Sequence, residues 1–181
     1  MNDITKTTAL FPALLGASFP NLDARVRRVH NGQPGQWSGT ANIARGRSYL
    51  ARIACAMAGL PAEANCTPVI VDIETDGTTE RWTRRFAGSM PMRSTLARQG
   101  TLLSERLGAA TLIFRLAERD GGIDWLLERI YVLGCRLPRV LFTVSAHSGC
   151  GAAGYRFVVD AGLRGIGRLI RYEGELDAGQ R

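Results

Sequence analysis

The chain has 181 residues, 45% of them hydrophobic, which supports one domain with its own core and leaves little room for a second. The net charge of +7 suits an anionic partner, but the arginines are scattered and form no compact basic cluster, so no nucleic-acid partner is expected. No stretch approaches the ~20 apolar residues of a membrane span, and the N-terminus lacks the features of a signal peptide, which predicts a cytoplasmic protein.

The first 34 residues predict a helical N-terminal segment. Leu10 to Gly16 and Asn21 to His30 each have the pattern of a short helix. Asn21 suits the N-cap of the second helix, because its side chain can accept a bond from an unpaired backbone N–H. A loop with two glycines and a proline follows, and Gln36 to Arg45 predicts a first strand.

Ser48 to Gly59 has the clearest helical pattern in the chain, and Gly59 with Pro61 ends it. Its alanines would let the helix lie close against a sheet. The apolar residues that recur at helical spacing are Leu50, Ile53, Ala54 and Met57.

Beyond Pro61 nearly all of the chain has the pattern of strands and turns. Thr67 to Phe86 predicts a β-hairpin, because alternating apolar residues lead into an Asp-Gly turn. The return arm places Trp82, Arg84 and Phe86 on one face. The alternation predicts that this face is buried. An arginine between two aromatic residues on a buried face is unusual, which makes Arg84 a candidate functional residue.

Further alternating stretches follow at short intervals. They are Met92 to Ala97, Thr101 to Leu107, Ala110 to Glu118, Ile123 to Leu133, Val140 to Val144, Tyr155 to Val159 and Gly167 to Asp177. Many successive strands with short turns favour antiparallel pairing of neighbours, and so long a sheet curls or closes to remove its edges. We therefore predict an α+β, mainly β, single domain over residues 1–181. Its strongly curved antiparallel meander, a half-barrel or barrel, spans residues 67–177 and packs against the helix at about 48–59.

Seven short motifs stand in a defined order along this chain. They are L-L-G-x-x-F (Leu14 to Phe19), V-R-R-V-H (Val26 to His30), A-R-G (Ala44 to Gly46), E-R-W-T-R-R-F (Glu80 to Phe86), S-E-R-L-G (Ser104 to Gly108), V-L-G-C-R-L-P (Val132 to Pro138) and I-R-Y-E-G-E-L (Ile170 to Leu176). From about Leu10 to Leu176 the chain resembles a bacterial family recorded as a domain of unknown function (number 4166). The resemblance implies no established activity and no catalytic residues. Relatives occur alone or joined to reductases of the saccharopine dehydrogenase type, which implies such a reductase as a partner.

Charged residues within strand patterns are the main candidates for a site. An inward-facing charge needs a partner, since an unpaired buried charge costs several kcal/mol. A curved sheet would bring Arg84 near Glu105 or Glu128. One interpretation is that Arg84 or Arg171 points inward and fixes the anionic head group of a ligand, while apolar walls hold its tail. The other is an ordinary structural ion pair, or side chains that face solvent.

The two histidines and the cysteines allow weaker hypotheses. His30 has the ordinary pKa of a general base but also suits a helix end with one structural hydrogen bond. His147 stands beside Ser145, Ser148 and Cys150, a nucleophile–base grouping that neighbouring strand positions do not aim at each other. The four cysteines form no C-x-x-C pair and have no zinc-like histidine spacing, so no metal site and no cofactor are expected.

Three functions remain open at this point. The first is a binding module that holds a hydrophobic or amphipathic, lipid-like molecule in the barrel. The ligand-binding residues predicted for it are Trp82, Arg84, Phe86, Glu105, Arg171, Tyr172 and His30. The second is an isomerase- or cyclase-type enzyme with Glu105, Glu128 or His30 as acid or base. The third is an accessory domain that docks onto the reductase through an exposed apolar face.

Overall fold

A closed antiparallel β-barrel dominates the computed structural model, which describes residues 9–152 and 154–177. The strands are β1 Gly35–Arg45, β2 Ala64–Thr75, β3 Thr79–Phe86, β4 Met92–Gln99, β5 Leu102–Leu107, β6 Ala110–Arg119, β7 Gly122–Val132, β8 Cys135–Leu137, β9 Phe142–Cys150, β10 Tyr155–Leu163 and β11 Gly167–Leu176. Ten of them run around the barrel in the order β6-β5-β4-β3-β2-β1-β11-β10-β9-β7, and β7 pairs with β6 to close it. The predicted mainly β fold with a curved antiparallel sheet is confirmed, in its closed form.

Two ladders join strands that are not neighbours in sequence. β1 pairs with β11, so that Gly39 lies opposite Leu176. A Cβ atom at Gly39 would lie 1.9 Å from the carbonyl oxygen of Glu175, so this close ladder requires glycine there. β7 pairs with β9 only over residues 123–126, and its far end pairs with the short strand β8. Between the part of β7 that pairs with β9 and the part that pairs with β8, the Leu127 carbonyl oxygen accepts a hydrogen bond from Arg139 Nε (2.5 Å).

The β7–β8 region differs from the prediction in two details. The segment between the predicted strands Ile123 to Leu133 and Val140 to Val144 contains β8, which forms a tight hairpin with β7 because Leu133 and Gly134 both adopt positive φ. Val140, predicted within a strand, lies in a 3-10 helix, Arg139–Leu141. A leucine seldom takes a left-handed backbone conformation, and this is why the pattern of side chains did not indicate a turn at Leu133.

The N-terminal segment plugs one end of the barrel. It comprises α1 Leu10–Leu15, a 3-10 helix Gly16–Asn21 and α2 Ala24–Val29. The predicted cap at Asn21 is wrong, since the Asp23 side chain accepts the Arg25 backbone N–H (2.9 Å) and begins the helix. The Asp23 N–H in turn donates to the Gly121 carbonyl oxygen (2.8 Å), which ties the plug to the β6–β7 turn.

The third helix, α3 Tyr49–Met57, covers the other end and packs on β11. Ser48 caps it by accepting the Ala51 N–H (3.1 Å). Ala51 and Cys55 form its buried side, and the Cys55 thiol donates to the Leu169 carbonyl oxygen (3.3 Å). The larger apolar side chains of the helix point outward, with exposed fractions of 57% for Leu50, 40% for Ile53 and 46% for Met57. Among the described residues, no helix has the length and the apolar character needed to cross a bilayer.

Candidate functional site

A cavity of about 270 Å³ lies inside the barrel, between the N-terminal plug and α3. Its walls are mostly apolar side chains from β2, β3, β5 to β7 and β9 to β11. Alternation along β10 turns Tyr155, Phe157, Val159 and Ala161 toward it. The indole ring of Trp82 forms part of the lining on the plug side. The barrel interior is therefore not filled by its own side chains.

Arg84 and Glu105 form an ion pair in the cavity wall. Arg84 NH2 lies 3.4 Å from Glu105 Oε1, and NH1 donates to Ser94 Oγ (3.0 Å). The two charged side chains are only 13% and 12% exposed. The guanidinium carbon lies 5.0 Å from the Trp82 ring centroid, within the range of a cation–π contact. The pair adds polar groups to an apolar cavity without adding net charge.

Glu105 rather than Glu128 is the partner of Arg84. Glu128 accepts from Arg115 Nε (3.0 Å) in a pair whose side chains are 38% and 58% exposed. Arg84 and Glu105 lie on β3 and β5, the two strands that flank β4, and both line the cavity, whereas Glu128 on β7 does not. The face predicted for Trp82, Arg84 and Phe86 does line the cavity.

The structure places Tyr172 and Arg171 on opposite faces of β11. Tyr172 lines the cavity, with its ring centroid 6.1 Å from that of Phe86. Burial raises the pKa of Tyr172 to about 12, so its hydroxyl keeps its proton at neutral pH. The expectation of an inward Arg171 is wrong. Its guanidinium instead reaches Glu173 Oε2 (3.1 Å) and Asp160 Oδ2 (3.6 Å) on the outer face.

His30 is fully buried in the plug and does not line the cavity. Its Nε2 lies 3.1 Å from the Tyr155 hydroxyl oxygen, and its ring lies 4.2 Å from Phe11 and 5.5 Å from Trp82. Burial, with a smaller contribution from the charge of Arg84, lowers the pKa of His30 to about 3. The imidazole is therefore neutral at pH 7. The rings of Tyr155 and Trp82 lie between it and the cavity.

Ser148 on β9 joins the side chains of β7 and β10 by hydrogen bonds. Its Oγ accepts from the Tyr155 hydroxyl (2.8 Å) and from Trp125 Nε1 (3.2 Å). The sequence does not reveal this role, because the three residues lie on different strands. The imidazole of His147 meets Asp124 instead, with Nδ1 2.7 Å from Oδ1. His147 and Ser148 therefore have separate partners and form no nucleophile–base pair.

Glu80 is a buried acid that the sequence interpretation missed. It is 1% exposed, and its Oε2 accepts from Trp82 Nε1 (2.8 Å) while Oε1 has no partner among the described residues. Burial raises the pKa of Glu80 to about 7. The signal was present, because Glu80 stands two residues before Trp82 and therefore shares the inward face of β3.

The described residues hold no group of three or more His, Cys, Asp or Glu side chains that could bind a metal ion. Of the four cysteines, Cys55 is buried on the inner side of α3, whereas Cys66, Cys135 and Cys150 are exposed. Burial also raises the pKa of the Cys55 thiol, which lowers its reactive thiolate fraction.

Thiol labelling tests how tightly α3 covers the barrel. We expect a maleimide to modify Cys66, Cys135 and Cys150 rapidly and Cys55 more slowly by about tenfold or more, because of burial and the raised pKa. Mass spectrometry of tryptic peptides over a time course measures each rate. Labelling of Cys55 at the rate of the exposed thiols would show that α3 does not stay packed on β11.

Comparison with known proteins gives one match. A family model described as a domain of unknown function (DUF4166) matches residues 22–176, from α2 to the last residue of β11. No curated protein and no solved structure matches the chain.

Proposed function

The chain belongs to the domain-of-unknown-function family DUF4166, and from its barrel we propose that it binds a hydrophobic or amphipathic small molecule, lipid-like in character. One observation carries this proposal: the barrel contains an apolar cavity that has the hydrogen-bonded Arg84–Glu105 ion pair in its wall. Ligand sites in proteins have this composition, with apolar walls and a few polar groups that fix orientation.

The size of the cavity limits the ligand. A volume of about 270 Å³ is near the lower end of the range for small-molecule sites. One water occupies about 30 Å³ in the liquid, so the occupant has on the order of ten non-hydrogen atoms inside the barrel. A longer molecule would extend past α3.

The Arg84–Glu105 pair favours a neutral polar group on the ligand. Its guanidinium offers N–H donors beyond the two used by Ser94 and Glu105, and the carboxylate offers acceptor positions. A hydroxyl or amide can use both partners. A free carboxylate would approach Glu105, and an ammonium would approach Arg84, so each would meet a like charge in an apolar cavity.

Fluorescence titration with 1-naphthylamine, a neutral apolar dye small enough for this cavity, tests the proposal. We expect saturable binding, weakened about tenfold or more by Ala161→Phe, because that side chain points into the cavity. Val158→Phe, on the opposite face of the same strand, is the matched control and should bind as the wild type does. Absence of saturable binding, or equal binding by Ala161→Phe, would contradict the proposal.

Competition of the same dye by three ten-carbon compounds tests the polar group. Decanol is expected to displace the dye at lower concentration than decanoate or decylamine, because only the neutral hydroxyl suits both members of the ion pair. Conversion of both Arg84 and Glu105 to apolar residues should remove this preference while leaving dye binding intact.

The other functions keep a narrower basis. An isomerase- or cyclase-type reaction would depend on Glu105, since Glu128 lies on the outer face and His30 does not line the cavity. The cytoplasmic location and the reductase partner remain predictions from the sequence and from the family resemblance.

A further inference from the structure

One end of the barrel carries most of the exposed large apolar side chains. This surface, called the α3 end, consists of the connections at residues 46–63, 87–91, 108–109, 133–141 and 164–166. Ten large hydrophobic residues are exposed in the described part of the chain, and eight of them belong to it. These eight are Tyr49, Leu50, Ile53, Met57, Met90, Leu133, Val140 and Leu141. The two others, Ile70 and Leu126, lie singly on the barrel wall.

Backbone contacts join these connections into one surface. The Ala109 N–H donates to the Met57 carbonyl oxygen (3.4 Å), and the Leu133 N–H donates to the Ala109 carbonyl oxygen (2.9 Å). Where the paired strands β9 and β10 end, the Arg164 N–H donates to the Leu141 carbonyl oxygen (2.7 Å). The exposed apolar residues are therefore neighbours in space although they come from separate loops.

The charge of the α3 end is positive. Its connections contain Arg47, Arg52, Arg136, Arg139 and Arg164 and one acid, Glu63, so five positive charges minus one negative give +4. The turns at the plugged end carry Asp76 and Asp120 and no basic residue. The plug helices contain arginines as well, but none of the exposed large hydrophobic residues. Apolar and basic side chains coincide at the α3 end.

We propose that the α3 end docks onto the surface of an anionic lipid membrane. Surface-bound proteins place apolar side chains at the boundary between headgroups and acyl chains, and arginines interact there with anionic lipids. The geometry of the α3 end fits this arrangement, because the exposed side of a nine-residue helix is surrounded by the tips of the connecting loops. A protein partner of matching apolar and acidic character is the alternative outcome of the test.

The position of the cavity connects membrane docking with ligand uptake. Ala54 and Ala58 of the α3 region line the cavity, and Met57 both lines it and is 46% exposed on the outside. A molecule leaving the bilayer would therefore reach the cavity beside Met57. This uptake step rests on the proposed binding function, whereas docking itself does not.

Flotation with lipid vesicles tests the docking. The full chain is mixed with vesicles of pure phosphatidylcholine, or with 30 mol% phosphatidylglycerol added, at low and high salt. We expect binding to the anionic vesicles that weakens as salt rises, because the electrostatic attraction is screened. We expect much weaker binding to phosphatidylcholine alone.

Two matched pairs of variants place the contact. Ile53→Ser at the α3 end should weaken binding about tenfold, since its apolar side chain no longer enters the interface. Ile70→Ser is the control, because Ile70 is 39% exposed against 40% for Ile53 but lies on the wall. Arg47→Gln with Arg52→Gln should weaken binding about 25-fold, at about fivefold for each arginine. Arg81→Gln with Arg98→Gln removes the same charge from the strands β3 and β4 and should have much less effect.

Several results would overturn the proposal. These are no binding to anionic vesicles, equal loss in the wall variants, or a concentration-dependent dimer that Ile53→Ser dissociates. The last result would assign the α3 end to a second copy of the chain. Dye binding in the absence of vesicles reports the cavity separately, so a failure of docking is distinguishable from a failure of ligand binding.

Discussion

Replacement of Arg84 by methionine is expected to destabilise the barrel by about 3–5 kcal/mol, because the Glu105 carboxylate then remains in the cavity wall without its counter-charge. The variant also loses the bond to Ser94 and the contact with the Trp82 ring. Equilibrium unfolding in urea at pH 7 measures the change in the free energy of unfolding. The unfolding slope should stay constant, since the surface exposed on unfolding is nearly the same.

The double variant Arg84→Met with Glu105→Leu separates the pair from its members. We expect it to be about as stable as the wild type, because two apolar side chains replace two buried charges of similar size. Arg115→Met with Glu128→Leu is the control on the outer face, where each single change should cost about 1 kcal/mol or less. A cost for Arg84→Met as small as that for Arg115→Met would show that the inner pair is well hydrated.

The second large effect is a dependence of stability on pH through Glu80. Burial raises the pKa of Glu80 from an ordinary 4.5 to about 7, so between these values the folded chain keeps a proton that the unfolded chain releases. The contribution of Glu80 to stability is therefore present below pH 4.5 and lost as pH rises through 7, by about 3 kcal/mol. Glu80→Gln removes this loss.

Unfolding experiments on the wild type and Glu80→Gln from pH 4.5 to 8 measure this effect. We expect the variant to gain on the wild type by about 3 kcal/mol across that range, because glutamine stays neutral and its carbonyl oxygen still accepts from Trp82. Glu74→Gln, an exposed position on β2, should show no comparable trend. A constant difference between wild type and Glu80→Gln at all pH values would contradict the assignment.

His30 acts in the opposite direction. Its pKa is lowered from 6.5 to about 3, so the stability that depends on neutral His30 is present above pH 6.5 and lost as pH falls toward 3. In the wild type the dependences of Glu80 and His30 oppose each other between about pH 4.5 and 6.5. Glu80→Gln should therefore expose a rise in stability over that interval, which belongs to His30.

The sequence was sufficient for most of the strands and for the face of β3. Period-two alternation identified the hairpin, and the number of short strands indicated a sheet that curls on itself. The same alternation should have excluded Arg171 from the interior, because Ile170 and Tyr172 are the apolar positions of β11 and Arg171 shares its face with Glu173. A charged residue within a strand therefore indicates an inner site only when its neighbours at i−2 and i+2 are apolar, as around Arg84.

The rest depended on contacts between distant segments. The choice of Glu105 over Glu128 follows from which of the two side chains faces the cavity, which the sequence left open. The environment of His30 exists only because the plug packs its ring against Trp82 and Tyr155, on strands that lie far from it in the chain. For α3, helical periodicity identified the apolar stripe but not which side of the helix faces the barrel. Small residues such as Ala51 form the buried side, and the large apolar side chains lie outside.

The pairing of β1 with β11 affects how the chain folds during its synthesis. The ribosome releases β1 early, whereas the strand that completes its pairing is the last one of the barrel. During translation one edge of β1 therefore has no partner, and such edges promote association with other nascent chains. The β1–β11 ladder joins the first and last strands of the barrel, which places folding among slow, non-local topologies and exposes the newly made chain to aggregation until its last strand is complete.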